Sequence, residues 1–520
     1  RAAGINCTDE DGEPVNLRCW IKGQMPEPGY TYQGNAFRWP TIPDVLQQAG
    51  ISWRIYQDPN DNWTGAMHGC LAFESFRNSK PGDPIYENGM RHWSLEDLAN
   101  DVKNGTLPQV SWILPSQANS EHPGAPSSPY RASNFTHQVL EAITSNPDVW
   151  SKTVFFLTFD ENDGLFDHLP APAVPSYNLD NTLAGKSTID VAGMYFYNDK
   201  DDLSDTEKPR KYIDKRDTVS GALRPWGMGP RVPMYILSPW SKGGWVYSGI
   251  ADHTSVGQFI EKRFNVVIPA ISPWHRAVSS DLTEAFDFVT PNDPDFPPLP
   301  DTSGYAAIDE ASRAKPTAAP PEKPAALYQE KGARISRALP YRLHCTLSRG
   351  QEHVGLCFEN QGTKGAVYHV YDLLHLDRIP RRYTVEAGKA LDDRWDTIAD
   401  SGAYDLEVFG PNGYFHKFRG RLGRPEPEVS LVFDHDEGGL TIRLRNGSDR
   451  PLQVEVDAVA YGYPKWGPLT LTPGQSVQHA VSLQQSRNWY DFEVKTLEGF
   501  LHRFAGRVET GRDGISDPAQ

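Results

Sequence analysis

The sequence predicts an α/β region with a mostly parallel sheet flanked by helices, followed by two small tandem β-sandwich domains. The first observation is that short apolar strands alternate with amphipathic helices between residues 41 and 263, which favours a parallel sheet covered by helices. The second is that residues 336–510 read as short alternating strands separated by Gly, Asn and Pro turns, which is typical of β-sandwiches. Residues 291–335, rich in Pro, Asp, Ala and Ser, are predicted to be a linker. The α/β part is therefore predicted at residues 1–290.

The α/β part contains two helices with clear end signals. The first, at residues 41–50, begins at Thr41 as N-cap and ends at Gly50. The second begins at Ser94, and Asp97 follows three residues later, close to a capping box. The other elements predicted in this part are strands at 51–56, 107–114, 154–157 and 232–240, helices at 134–145 and 255–263, and a Pro-, Asp- and Gly-rich insertion or lid at 169–229.

The last part of the chain is an internal duplication. The segment YDLEV at residues 404–408 matches YDFEV at 490–494, and further matched positions lie the same 86 residues apart. Two similar modules are therefore predicted, at 336–423 and 427–510. His416 and His502 are matched positions in strand-like alternation, and we interpret both as structural. These modules are expected to bind or pack rather than to catalyse.

Composition excludes several classes of function. A net charge of −16 argues against binding to nucleic acid or to an anionic membrane by bulk electrostatics. No apolar run reaches the length of a membrane span. The first residues, RAAG, include neither a Met nor an apolar signal-peptide region, so we interpret the chain as the later portion of a longer polypeptide.

The five cysteines allow two disulfides. Cys7 and Cys19 bracket a polar loop that a disulfide could close, and Cys345 and Cys357 could pair across a hairpin. The odd count leaves at least one free thiol.

The segment FFLTFDENDGLFDH at residues 155–168 is the main candidate site. Its apolar strand opens directly onto Asp160 and Glu161, and strand ends are where open α/β sheets bind ligands. Because adjacent carboxylates repel each other, a bound cation is the economical explanation. Histidines are predicted near the same edge: His122 in a long loop after a strand, and His253 at or just before a helix N-terminus.

The candidate constellation consists of Asp160, Glu161, His122, His168 and His253, with Asp163, Asp167 and Glu121 as reserves. Carboxylates and histidines at strand ends suit metal-assisted hydrolysis of a phosphate ester. The alternatives are an acidic surface turn for the carboxylates, and capping or packing roles for the individual histidines.

Three segments carry a resemblance to a known family. FFLTFDENDGLFDHLPAP, the preceding SWILPSQANSEHPG and the later RVPMYILSPWSKGGWVYSGIADHTSVGQFIEKRF resemble the secreted bacterial phospholipases C that prefer phosphocholine lipids. These enzymes belong to a phosphoesterase family that includes plant non-specific phospholipases C and bacterial acid phosphatases. The tandem modules look like the paired C-terminal domains of the bacterial enzymes.

The resemblance implies an alkaline-phosphatase-like fold and a phosphoric diester hydrolase that depends on a divalent metal ion. Asp160 and Glu161 match metal ligands of the family, His122 and His253 match active-site positions, and His168 is a weaker match. The implied reaction cleaves phosphatidylcholine or sphingomyelin to phosphocholine plus diacylglycerol or ceramide. Family members are exported through the periplasm to the outside of the cell, some are haemolysins, and an export chaperone is a further expected partner. The implied substrate lies at a membrane surface, with no nucleic acid as partner.

The sequence departs from the family in one respect. The family has an early Glu-Asn metal pair and a Thr or Ser nucleophile, and residues 1–110 contain no equivalent, so this chain alone is expected to be inactive. An acid phosphatase of the same fold and a non-catalytic binding fragment are the alternative functions. Trp226, Trp240, Trp245 and Tyr247 are hypothetical members of a cage for the choline cation, with core packing as the alternative for each.

Overall fold

A computed structural model describes residues 6–8, 14–16, 38–58, 69–122, 126–162, 167, 169–178, 180–197, 223–290, 293–316, 319, 321–323 and 332–519. The helices within these ranges are α1 Ile42–Gln48, α2 Glu74–Arg77, α3 Pro84–Gly89, α4 Leu95–Asn104, α5 Pro129–Thr144, α6 Pro147–Trp150, α7 His253–Phe264, α8 Pro273–Val278 and α9 Tyr305–Arg313. The strands before residue 300 are β1 Asn6–Thr8, β2 Pro14–Asn16, β3 Trp53–Tyr56, β4 Val110–Ile113, β5 Phe155–Thr158, β6 Ser176–Tyr177, β7 Leu183–Ser187, β8 Tyr195–Tyr197, β9 Leu223–Pro225 and β10 Met234–Leu237. A region of helices and strands is thus followed by a β-rich region, as predicted.

The β-rich region repeats the same order of strands. The first repeat contains β12 Leu343–Arg349, β13 His353–Asn360, β14 Ala366–Asp372, β15 Arg381–Val385, β16 Ala390–Asp396, β17 Ala403–Phe409 and β18 Phe415–Arg421. The second contains β19 Glu428–Asp434, β20 Gly439–Arg445, β21 Leu452–Ala458, β22 Trp466–Leu471, β23 Ser476–Ser482, β24 Trp489–Lys495 and β25 Leu501–Arg507. Two short strands, β11 Ile335–Ser336 and β26 Gly514–Ile515, pair with each other and bring the two ends of this region together.

Local capping residues start the helices where the sequence predicts. Thr41 and Asp44 form a complete capping box at α1, and Ser94 and Asp97 form another at α4. Asp252 caps α7, so that His253 is its first helical residue. These side chains satisfy backbone N–H groups that the first turn of a helix leaves without partners.

The described strands do not confirm the predicted mostly parallel sheet. β3 and β4 pair in parallel, but β5 pairs with β10 in antiparallel register, and the two pairs form separate sheets. The pairs still pack together, because Ile113 at the end of β4, Phe155 of β5 and Leu237 of β10 contact one hydrophobic cluster. The loops that follow β4 and β5 also approach each other, because the Nε2 atom of His122 lies 3.9 Å from the Glu161 carboxylate.

The two repeats share one sheet and one core. A ten-stranded sheet has the order β22-β21-β24-β25-β18-β17-β14-β15-β7-β6, and β18 of the first repeat pairs directly with β25 of the second. Two three-stranded sheets, β12-β13-β16 and β19-β20-β23, belong to one repeat each. Buried residues of both repeats belong to a single hydrophobic cluster.

The same sheet continues into the first half of the chain. β7 pairs in parallel with β15, so part of the segment predicted as an insertion or lid is an extension of the sheet. Next to it, the Trp274 indole N–H of α8 donates a buried hydrogen bond of 3.0 Å to the Thr384 hydroxyl of β15. The predicted linker also contains α9, in which the buried carboxylate of Asp309 accepts a hydrogen bond of 2.6 Å from Arg131 of α5.

The expected disulfide between Cys345 and Cys357 is wrong. In the pairing of β12 with β13, Cys345 lies opposite Phe358 and Cys357 lies opposite Thr346. This offset of one residue directs the two side chains to opposite faces, and both thiols are free, one buried and one exposed. Cys19 lies outside the described residues, so its pairing with Cys7 stays a prediction. None of the helices in the described ranges combines the length and apolar character needed to cross a membrane.

Candidate active site

The loop after β4 holds His122 in a constrained turn. A 3₁₀ helix, Gln117–Asn119, follows the strand, and the His122 backbone N–H then donates to the Ser120 hydroxyl at 3.2 Å. Glu121 has a φ of +63°, a left-handed conformation that costs energy in residues other than glycine. Its backbone N–H donates to the Ser127 hydroxyl at 2.8 Å, which holds this conformation. Burial raises the pKa of the Glu121 carboxyl, so a proton is retained there more readily than in water.

The acidic turn, defined as Asp160, Glu161 and Asn162, follows β5. The Asp160 carboxylate accepts the backbone N–H of Glu161 at 3.0 Å, which fixes the direction of the turn. Asp160 and Glu161 are exposed. The Glu161 carboxylate nevertheless lies 3.9 Å from the Nε2 atom of His122, within ion-pair distance but too long for a hydrogen bond. The sequence prediction that these acids and His122 lie together is consistent with this geometry.

His253 approaches the acidic turn from the other side. Its Nε2–H group donates a hydrogen bond of 3.0 Å to the backbone carbonyl of Phe159, the residue immediately before Asp160. The cap of α7 holds this histidine in place, because the Asp252 carboxylate accepts the Thr254 N–H at 3.1 Å. Asp252 also lies 3.3 Å from the Nε2 atom of His275, and this carboxylate therefore serves the helix end rather than the acidic turn. Burial lowers the pKa of His275.

Three segments thus converge: the loop with His122, the acidic turn, and the first residue of α7. An imidazole next to a carboxylate can give or take a proton, and exposed carboxylate oxygens can bind a cation. No three His, Cys, Asp or Glu side chains within the described ranges come together to hold a metal ion. Asp160 and Glu161 are therefore not a complete metal site by themselves.

Of the remaining predicted site residues, some lie outside the described ranges and one is held in an ion pair. His168 and Asp163 lie outside the described residues, and their roles stay predictions. Asp167 forms a bidentate pair with Arg231, with oxygen-to-nitrogen distances of 2.7 and 2.9 Å. The Arg231 guanidinium lowers the pKa of the Asp167 carboxyl well below its usual range. Asp167 thus joins the segment after the acidic turn to the residues just before β10.

The four aromatic residues considered for a choline cage have other neighbours. The ring of Trp245 is covered by the Arg337 guanidinium, 4.0 Å from the ring centroid. The Tyr247 hydroxyl is buried, and burial raises its pKa above the usual range. Trp240 packs against Phe288 with centroids 5.7 Å apart, and Trp226 is partly exposed beside β9. The surroundings of Trp245 and Tyr247 therefore favour a packing role for these two residues over a place in a choline cage.

Sequence reasoning did not find Arg231 or the aromatic packing around Trp240. Arg231 is 64 residues from Asp167, and a long segment between them gives no local signal of contact. Phe286 and Phe288 lie after the helix predicted at 255–263 and before the linker predicted at 291–335. Their alternation with Asp287 was the one available signal, since period-two apolar residues in an irregular segment indicate a common face.

The sequence matches the Phosphoesterase family over residues 9–267, and the C-terminal domain of bacterial phospholipase C over residues 335–421 and 427–507. It is 44% identical to the non-hemolytic phospholipase C of Pseudomonas aeruginosa, an alignment that covers 98% of this chain and 71% of that protein. It is 42% identical to the non-hemolytic phospholipase C of Burkholderia pseudomallei, with 93% and 70% covered. Identity to the hemolytic phospholipase C of Pseudomonas aeruginosa is 34%, with 92% and 69% covered. The chain therefore belongs to the phosphoesterase family, and within it to the bacterial phospholipases C with paired C-terminal domains.

Proposed function

We propose that this protein is a phospholipase C that hydrolyses phosphatidylcholine, sphingomyelin or both, and releases phosphocholine with diacylglycerol or ceramide. The observation that carries the proposal is the convergence of His122, the acidic turn and His253. The relatives that align with nearly the whole chain are named phospholipase C. An acid phosphatase of the same fold is not favoured, because the three relatives above share the phospholipase name. An alkaline-phosphatase-like arrangement of the first region belongs to the same proposal.

The residue roles are proposed from the geometry. His122 faces a carboxylate and is solvent-accessible, which suits a group that protonates a leaving oxygen or stabilises a phosphoryl oxygen. His253 holds the backbone carbonyl before Asp160, so it positions the acidic turn as well as lying at the site. His168 is retained as a third proposed catalytic histidine from its place in the family motif.

A divalent metal ion is part of the proposal, with Asp160 and Glu161 as two of its ligands. Both side chains are exposed and present hard oxygen atoms. When bound, such an ion would neutralise charge on phosphoryl oxygens. Export from the cell, passage through the periplasm and an export chaperone remain further proposals that follow from the family resemblance.

The test compares substrates with the full-length protein. Phosphocholine release from phosphatidylcholine and from sphingomyelin is measured beside phosphate release from a simple aryl phosphomonoester. We expect at least one phosphocholine lipid to be the preferred substrate in kcat/KM. A clear preference for the monoester would replace the proposal with the phosphatase, and no turnover of any of the three would favour a non-catalytic role.

A further inference from the structure

The segment predicted as a linker is fixed against the start of α5. The Asp309 carboxylate of α9 is buried and accepts hydrogen bonds from two guanidinium groups, at 2.6 Å from Arg131 of α5 and at 2.9 Å from Arg313 of α9. Just before α9, the Thr302 hydroxyl donates to the Asn134 side chain of α5 at 2.8 Å. These contacts hold α9 beside the first turns of α5.

The same arginine of α9 reaches the loop that carries His122. The Arg313 guanidinium donates a hydrogen bond of 3.1 Å to the backbone carbonyl of Ser127. The Ser127 hydroxyl accepts the backbone N–H of Glu121 at 2.8 Å, the contact that holds Glu121 in its left-handed conformation. Ser127 is thus connected on one side to α9 and on the other side to the residue immediately before His122.

The Asp309 carboxylate orients Arg313 for this contact. The arginine binds Asp309 through Nε and Ser127 through Nη2, and a guanidinium is planar. Fixing Nε therefore limits the directions in which Nη2 can point. Hydrogen bonds from Arg313, Arg131 and the Ser128 hydroxyl lower the pKa of this carboxyl well below its usual range. The carboxylate thus stays ionised at neutral and at mildly acidic pH.

A buried ion pair between two helices ordinarily has a structural role alone. This pair differs because its contacts continue through Ser127 to a strained residue beside a proposed catalytic histidine. A left-handed residue other than glycine persists only where its surroundings hold it. Loosening Ser127 would release Glu121 towards ordinary backbone conformations. It would also move His122, whose Nε2 atom lies 3.9 Å from the Glu161 carboxylate.

We propose that Arg313 is a positioning residue for the proposed reaction. Asp309 orients its guanidinium, and the guanidinium fixes Ser127. Ser127 then holds Glu121 in the conformation that directs His122 towards the acidic turn. The inference rests on the proposed function, because that function gives His122 its catalytic role. It also gives the segment between the first region and the repeats a part in the active site.

The first variant, Arg313→Gln, removes the guanidinium in the full-length protein. Arg131 still pairs with Asp309 in this variant, so the buried carboxylate keeps a cation and the fold is retained. The matched control is Glu310→Gln, which removes the charge of the next residue of α9. Glu310 is exposed, so its replacement leaves the contacts of Asp309 intact.

A second pair of variants tests the other end of the contact. Ser127→Ala removes the hydroxyl that accepts the Glu121 N–H, and Ser127→Thr keeps a hydroxyl there. For all variants, kcat and KM are measured on a short-chain phosphatidylcholine below its aggregation concentration. Hydrogen exchange at the Glu121 amide gives a readout that needs no turnover, and thermal melting reports the stability of the whole protein.

We expect Arg313→Gln and Ser127→Ala each to lower kcat by about ten-fold, since misplacement of a catalytic group slows the chemical step. KM should stay within about two-fold of the wild type, as should both parameters in Ser127→Thr and in Glu310→Gln. The double variant should lose about as much as one single variant, whereas independent sites would give a loss of about a hundred-fold. The pH profile should keep its shape, because His122 is displaced and not replaced.

The Glu121 amide should exchange at least about ten-fold faster in Arg313→Gln than in the wild type or in Glu310→Gln. An unchanged amide in Arg313→Gln, or multiplying losses of kcat in the double variant, would overturn the inference. A lower melting temperature with unchanged kcat would also overturn it, because Arg313 would then be structural alone. If the wild type hydrolyses no phosphocholine lipid while the amide still responds to Arg313→Gln, the proposed function fails and the contact from α9 to the loop stands.

Discussion

At the scale of single residues, the site depends on contacts that fix a short acidic turn. His253 is the clearest case, because its Nε2–H donates to the carbonyl of Phe159 and so sets the chain direction before Asp160. His253→Leu removes the donor, whereas His253→Gln keeps an N–H group of similar reach. We expect kcat/KM on phosphatidylcholine to fall by about 10²-fold in the leucine variant, a typical loss for a positioned site histidine.

The glutamine variant decides what His253 does. If it positions the turn, His253→Gln should recover a large part of the lost kcat/KM, and the pH profile should keep its shape. Equal loss in both variants, together with a missing limb of the pH profile, would instead make the imidazole a direct proton carrier.

The exposed carboxylates of the acidic turn lead to a prediction about metal binding. A divalent ion that binds the folded state raises the melting temperature with its concentration. We therefore expect a metal-dependent rise for the wild type after chelator treatment, and a smaller rise, or none, for Asp160→Asn and Glu161→Gln. Asp167→Asn is the control, because Asp167 already binds Arg231 and should not affect the metal response. An unchanged response in Asp160→Asn would exclude this residue as a ligand.

At the scale of elements, β18 and β25 join the two repeats through a symmetric pair of ring contacts. His416 lies edge-on to Phe504 with centroids 4.8 Å apart, and His502 lies edge-on to Phe418 at 4.9 Å. Both imidazoles are buried, and neither ring nitrogen of His502 has a hydrogen-bond partner among the described residues. Burial lowers the pKa of His416 to about 3 and lowers the pKa of His502 as well.

These histidines should make the β-rich region sensitive to acid. The unfolded chain binds protons below about pH 6.5, where the buried rings remain neutral, so folding stability is complete above that pH and declines as the pH falls towards 3. Between pH 7 and pH 5 we expect His502→Phe to lose about 2 kcal/mol less free energy of unfolding than the wild type. Chemical denaturation at both pH values measures this difference.

The control for this prediction is His479→Phe. His479 stacks on Trp466 at 4.7 Å and is partly exposed, so this variant removes a histidine of the same repeat without opening the buried contact between β18 and β25. The same pH dependence in His502→Phe and in the wild type would contradict a role for the buried ring.

Local signals explain which elements the sequence could predict. Caps such as Ser94 with Asp97, and the position of His253 at a helix start, depend on residues a few positions apart and were predicted correctly. The pairing of β5 with β10 depends on contacts about 80 residues apart, and four-residue apolar strands do not encode direction. The prediction of a disulfide between Cys345 and Cys357 was wrong for a related reason. A shift of one residue in register moves a side chain to the other face of the sheet.

For the candidate site, the sequence supplied residue types and strand ends, and tertiary structure supplied distances. Asp160, Glu161, His122 and His253 were chosen because each follows a strand or starts a helix, and the structure places them on converging segments. The Arg231 partner of Asp167 and the packing of Trp240 against Phe288 could not be chosen in this way. Both depend on loops whose paths the sequence does not specify.

At the scale of the whole molecule, the ten-stranded sheet couples the enzyme region to the repeats. Gly185 of β7 lies opposite Arg382 of β15, with a φ of +122°, and an added Cβ would overlap the Arg382 carbonyl oxygen. Gly185→Ala should therefore disrupt this pairing and lower the free energy of unfolding by at least about 2 kcal/mol. We expect one unfolding transition in the wild type and two in this variant, as measured by calorimetry.

The control for the sheet junction is Gly193→Ala. Gly193 also has a positive φ, +78°, but an added Cβ there meets no atom within 4 Å. Its replacement should cost about 1 kcal/mol, from backbone strain alone, and should keep a single transition. Two transitions in both variants, or in the wild type, would show that β7 does not couple the regions.

The direct pairing of β18 with β25 also bears on how the duplicated modules can evolve. A chain ending near residue 423 would leave the β18 backbone with open N–H and C=O groups along the five residues that pair with β25. Such edges recruit strands from other molecules and promote aggregation or strand exchange. Loss of one copy would therefore leave a single module that is prone to aggregate, rather than a stable ancestral domain. Natural selection should for this reason retain the two copies together.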